Sequence, residues 1–81
     1  MSQPERKMTP QEENVWFKVR VALKVDPETE SFYKDLKIHV TRGVVTLSGT
    51  APSVEAAAHA ERVALAVADV NGVDNQITTA G

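Results

Sequence analysis

Two glycines and four hydroxyl residues crowd into RGVVTLSGTAPS, residues 42–53. Residue types like these can build a nucleophile or a phosphate site, and the spacing decides which. A serine at a strand-to-helix elbow needs G-x-S-x-G, so that its hydroxyl stands exposed on a sharp turn. Around Ser48 the chain reads T-L-S-G-T, and neither flanking glycine is present. A phosphate loop needs G-x-x-x-x-G-K-[ST], whose backbone N–H groups and lysine surround the phosphates. Gly43 and Gly49 stand six positions apart instead of five, and Thr50 occupies the lysine's place. The residues between them alternate apolar and polar, which is the pattern of a strand.

The remaining reactive types give no better constellation. His39 falls on the outward face of a strand, and His59 on a helix near Glu55 and Arg62. A metal site would need them to converge with a carboxylate, and the spacing implies no such meeting, so both read as solvated. The acids of DPETESFYKD, residues 26–35, lack the EF-hand spacing with its central glycine and read as a solvated loop. There is no cysteine, hence no thiolate ligand, catalytic thiol or disulfide. The expectation is a chain without catalytic residues, metal or cofactor, and so not an enzyme.

These residues must be positioned by a small body. The chain has 81 residues, enough for one domain that buries roughly 60% of its unfolded surface. Hydrophobic residues make up 42% and charged residues 25%, a globular composition. The formal net charge of −2 argues against a nonspecific nucleic-acid binder, which needs a basic field. No apolar run approaches the ~18 residues of a membrane span. The opening MSQPERKM has no apolar core of a secretory signal. The expected location is therefore the cytoplasm for the chain as written, or the periplasm and cell envelope for a domain excised from an exported protein.

Residues 1–8 are polar and expected to form a disordered arm; residues 9–79 are expected to form the single domain. Thr9, Pro10 and Glu12 spell a capping box with proline at the first helical position. A helix should run to about Val25, with Val15, Val19, Ala22 and Leu23 inward. Asp26-Pro27 ends it, because the residue before proline is driven out of the helical region. Phe32 or Tyr33 can tack the following loop onto the core. Leu36, Ile38 and Val40 alternate with polar residues in a first strand. Arg42-Gly43 turns the chain, and Val45 and Leu47 lie inward in a second, antiparallel strand. Gly49 to Ser53 bend the chain into an alanine-rich helix from Ser53 to about 68, with Ala56, Ala60, Val63, Ala64 and Val67 inward. VNGVDNQITT, residues 70–79, forms the last strand. The order is α-β-β-α-β, an α+β fold.

Two features of this layout carry information about sites. Asn75 shares the face of Val73 and Ile77 and should point inward, where an unpaired amide would cost about 1–3 kcal/mol; it is expected to tie loop or helix-end backbone groups together. The first helix carries Phe17, Arg20, Val21 and Lys24 opposite its core stripe, with Trp16 on one flank and Lys18 and Val25 on the other. A surface helix ordinarily places polar residues there. Three readings stand open. Trp16 closes the edge of the core and Phe17 is covered by the loop of Phe32 and Tyr33; or the face is a protein contact such as a homodimer seam; or it lies on an anionic lipid surface, which favours aromatics ringed by lysine and arginine.

The sequence resembles the BON domain family over about residues 14–78. The resemblance rests on Val15, Val19 and Leu23; on the hairpin IHVTRGVVTLSGT (38–50) with Gly43, Val45, Leu47 and Gly49; on Ala60, Val63, Ala64 and Val67; and on VNGVDNQI (70–77), similar to the closing V-x-x-V-x-N-x-I segment. The family usually has glycine where this chain has Asp69, a residue that can still take a left-handed backbone and is expected to end the second helix. The resemblance implies a three-stranded mixed sheet with two helices on one face, no catalysis, and association with phospholipid or the bacterial envelope. The family's signature does not fix its lipid contacts. Trp16, Phe17, Lys18, Arg20, Val21 and Lys24 are therefore assigned from the helix face alone, as contacts to an anionic phospholipid or membrane surface or, in the alternative, to a protein partner or second copy.

Overall fold

A computed structural model describes residues 8–79. Helix α1 spans Pro10–Val25, a 3₁₀ turn covers Tyr33–Asp35, strands β1 and β2 span Leu36–Thr41 and Val44–Ala51, helix α2 spans Val54–Leu65 and strand β3 spans Gly72–Thr79. The sheet order is β1-β2-β3, with β1 antiparallel and β3 parallel to the central strand. Both helices pack on one face, as the α-β-β-α-β order and the family resemblance led us to expect. Residues 1–7 of the expected N-terminal arm lie outside the described residues; Met8 packs half-buried against the core.

The start of α1 follows from its capping box. The Thr9 hydroxyl accepts the Glu12 N–H at 3.2 Å, and the Glu12 carboxylate accepts the Thr9 N–H at 2.9 Å. These bonds satisfy donors that a helix end leaves free. Glu12 is buried, and its second oxygen takes the N–H of Arg42 at 2.8 Å. A local cap thus also joins α1 to the β1–β2 turn. There Arg42 and Gly43 both take positive φ, 54° and 84°, as a two-residue hairpin turn requires to match the strand twist. Asn71 holds the turn from the third side: its N–H donates to the Gly43 carbonyl at 2.7 Å.

The core is the layer between helices and sheet: Val15, Val19 and Leu23 of α1, Phe32, Leu36 and Val40, Val45, Leu47 and Ala51, and Ala57, Ala60 and Ala64 of α2. Alanine on α2 leaves little side-chain bulk between helix and sheet. Four expectations need correction. β2 continues through Gly49 and Thr50 to Ala51, so Gly49 does not bend the chain into α2. The buried stripe of α2 includes Ala57, while Ala56, Val63 and Val67 are half-buried. α2 also stops at Leu65, before Asp69. Asp69 nevertheless takes the left-handed φ of 73°, three residues past the Ala66 cap. The last strand begins at Gly72, because Val70 and Asn71 are used in the connection to the hairpin turn.

Gly49 is inside a strand for a steric reason. Its φ is 114°, and a Cβ there would run into the Asp35 backbone carbonyl. A Cβ on Gly43 would meet only the side-chain amide of Asn71, which can move. Gly49→Ala should therefore cost roughly 3 kcal/mol or more, and Gly43→Ala roughly 1–2 kcal/mol. Urea unfolding of the two variants checks this ordering; equal midpoints would contradict it.

Candidate functional site

Three buried side chains and the Glu12 cap set the rotation of α1 about its axis. With Val15, Val19 and Leu23 inward, the positions one turn apart on each flank are fixed by helical periodicity. The flank facing β1 carries Trp16 and Arg20. The Trp16 indole N–H donates to the Ile38 carbonyl of β1 at 3.0 Å, so Trp16 closes the edge of the core. The Arg20 guanidinium lies 5.6 Å from the Trp16 ring centroid and 5.8 Å from that of Tyr33, within cation–π range of both. The flank facing α2 carries Lys18 and the Asp26 cap. Lys18 approaches Asp69 at 3.9 Å, with both side chains largely exposed, an arrangement worth little in water.

The outward side carries Phe17, Val21 and Val25, which are 59%, 38% and 71% exposed, together with exposed Lys24. Phe17 is not covered by the loop of Phe32 and Tyr33, contrary to one expectation: Phe32 is buried in the core and Tyr33 stands over Arg20. The three apolar residues stand at i, i+4 and i+8 and form one stripe. Lys24 and Arg20 border it on the β1 side and Lys18 on the α2 side. Of the six residues assigned from the sequence, Phe17, Val21 and Lys24 thus belong to the open surface, and Trp16, Lys18 and Arg20 have partners on its flanks.

The family model of the BON domain matches residues 12–81. This chain belongs to the BON domain family. A BON domain is a binding module. No curated protein is significantly similar to the chain. The BON signature residues have structural roles here. Gly43 and Gly49 answer the turn and the close approach described above. Asn75 does point toward α2, where its backbone partner is Ala57 in the first turn of the helix and its side-chain partner is Glu61 one turn on. Its amide donates to the Ala57 carbonyl at 3.0 Å and to the Glu61 carboxylate at 3.1 Å, and its oxygen accepts the Ile77 N–H at 3.1 Å. It thereby ties α2 to β3 and occupies a backbone donor of an edge strand.

Two features of this BON domain escape sequence reading. Thr29 is fully buried in the loop read as solvated, and its hydroxyl donates to the Leu23 carbonyl at the end of α1. His59, read as solvated, is half-buried with its Nε2 2.9 Å from Asp26 Oδ1 and 3.8 Å from Glu28 Oε2. Asp26 also accepts the N–H groups of Glu28 and Thr29 at 2.9 and 3.3 Å. One carboxylate therefore ends α1, organises the loop and reaches α2. Burial alone would raise its pKa, but the Glu28 N–H, the His59 ring and the Thr29 N–H outweigh burial and hold the carboxyl below its ordinary value.

A carboxyl whose pKa is lower folded than unfolded contributes stability above its unfolded value, and that contribution disappears as pH falls through the folded value. Asp26→Ala should therefore destabilise the domain at pH 7 and do so progressively less below about pH 4, the ordinary aspartate range. Urea titrations of wild type and variant at both ends of this window check it. A stability gap that stays constant or widens on acidification would contradict the assignment.

Proposed function

We infer that this BON domain is a non-catalytic module that associates with anionic phospholipid surfaces through the outer face of α1. The observation that carries this reading is the exposed stripe of Phe17, Val21 and Val25 bordered by Lys18, Arg20 and Lys24. Such a helix lies in the plane of an interface, with its apolar residues at the headgroup boundary and its cations among the anionic heads. A peripheral position agrees with the helices themselves: among the described residues, none is long and apolar enough to cross a membrane.

Magnitudes indicate that neither contribution suffices alone. Three cations near an anionic leaflet contribute on the order of 1 kcal/mol each. Phe17 and the two valines, already partly covered, contribute about 1–2 kcal/mol each on insertion. Together these support weak, reversible binding; either half alone falls near the threshold of detection. Because the whole chain carries a formal charge of −2, the attraction is local and salt-sensitive.

Flotation with phosphatidylglycerol-containing vesicles against pure phosphatidylcholine vesicles tests the reading. The wild-type domain should float with the anionic vesicles at low salt and be released at high salt. Phe17→Ser combined with Lys24→Glu should abolish binding with little loss of stability, since both side chains are exposed. Concentration-dependent mass in sedimentation without any lipid preference would overturn it in favour of a seam between copies of the chain.

A further inference from the structure

Arg20 differs from the other two cations of the α1 surface. Its guanidinium sits within 6 Å of two aromatic rings, Trp16 at 5.6 Å and Tyr33 at 5.8 Å. Both rings are held by residues behind them. Trp16 is fixed by its indole bond to Ile38 of β1. Tyr33 begins the 3₁₀ turn, its N–H donates to the Thr29 carbonyl at 2.8 Å, and Thr29 is itself anchored through its hydroxyl to Leu23 of α1. Among the described residues no carboxylate pairs with Arg20, although the chain has eleven acids. Lys18, by contrast, has Asp69 at 3.9 Å.

Two rings beside one guanidinium restrict its motion, and among the described residues its N–H donors meet no acceptor. Those donors form a planar fork that matches two oxygens of a phosphate, and holding the fork in advance reduces the order that must be lost on binding. The neighbours indicate where such a phosphate would be presented. Phe17 and Val21 lie on the adjoining helix face and Lys24 one turn along. A phosphate in free solution has no use for that apolar stripe, whereas the phosphate of a membrane lipid sits at the boundary between acyl chains and water. We propose that Arg20, held between Trp16 and Tyr33, is the receptor for the lipid headgroup phosphate on this face. The proposal rests on the membrane reading above and adds to it a defined acceptor: Lys18 and Lys24 act as point charges, and Arg20 acts through geometry.

The test compares Arg20→Lys, Tyr33→Leu and Lys37→Arg with wild type on vesicles containing phosphatidylglycerol. Flotation and the emission of Trp16, the chain's one tryptophan, are the readouts, and far-UV circular dichroism verifies the fold of each variant. Arg20→Lys keeps the charge and removes the fork. It should weaken binding roughly tenfold, the loss expected for one strong charge-assisted contact. Tyr33→Leu should weaken it in the same direction, and Lys37→Arg, at an exposed lysine on the open sheet face away from α1, should leave it within about twofold. If Arg20→Lys binds like wild type while Phe17→Ser with Lys24→Glu abolishes binding, the receptor assignment is overturned and the membrane reading survives. If the wild-type domain does not float at all, both fall. If inorganic phosphate alone shifts the Arg20 Nε–H resonance to saturation and displaces the domain from vesicles, the site takes free phosphate and the lipid assignment is overturned.

Discussion

A carboxylate buried where a helix meets a hairpin turn needs donors from both, and Glu12 has them: the Thr9 N–H on its own cap and the Arg42 N–H across the interface. An unsatisfied buried carboxylate would be costly, so α1 has little freedom to slide or rotate without breaking one of these bonds. The same contact supports Arg42 in a backbone conformation that non-glycine residues seldom adopt. With that end of α1 seated, Val15, Val19 and Leu23 enter the core, and every outward residue follows from the 100° step of the helix. The exposed stripe is thus a consequence of how α1 is fixed from within.

The other end of α1 is fixed by a second carboxylate. Asp26 receives two loop N–H groups and the His59 ring, and joins α1 to α2 where the facing α2 core residues are alanines. Small side chains give close packing but little burial energy per residue, so polar contacts such as Asp26–His59 and Asn75–Ala57 have more of the positioning to do. The sheet's open face carries Lys37, His39, Asp74 and Gln76 exposed and Thr46 and Ser48 half-buried, an ordinary solvated surface. Of the exposed bulky apolar groups, Val44 stands on β2, Val54 and Leu65 on α2, and Phe17, Val21 and Val25 together on α1.

On that surface, the six side chains assigned from the sequence divide by chemistry. Phe17 and Val21 offer area, Lys24 and Lys18 offer charge, and Trp16 and Arg20 belong to a fixed aromatic assembly. Lys18 can leave Asp69 at little cost, because a pair so exposed is nearly as well solvated apart. The clustering lets an acidic protein present a basic patch, since screening confines charge interactions to about 10 Å at ordinary salt.

Local chemistry was legible in the linear chain. The Thr9–Glu12 cap, the Arg42-Gly43 turn, the period-two strands, the inward stripe of α1 and the membership in the BON domain family all depend on residues close in sequence or on a short signature, so spacing alone specified them. The element ends were less legible: α2 stops at Leu65, and β2 runs to Ala51 because Thr50 and Ala51 pair with Thr78 and Thr79 of β3, a long-range pairing that periodicity does not contain. Contacts between distant residues were not legible at all. Trp16 reaches Ile38 across 22 positions and His59 reaches Asp26 across 33, and the Arg20 pairing with Tyr33 needs the loop to fold back over α1. The sequence by itself determined which residues α1 presents outward, because a helix has one period. Only the tertiary structure decided which of them remain open and which are held, because that depends on what the rest of the chain brings alongside.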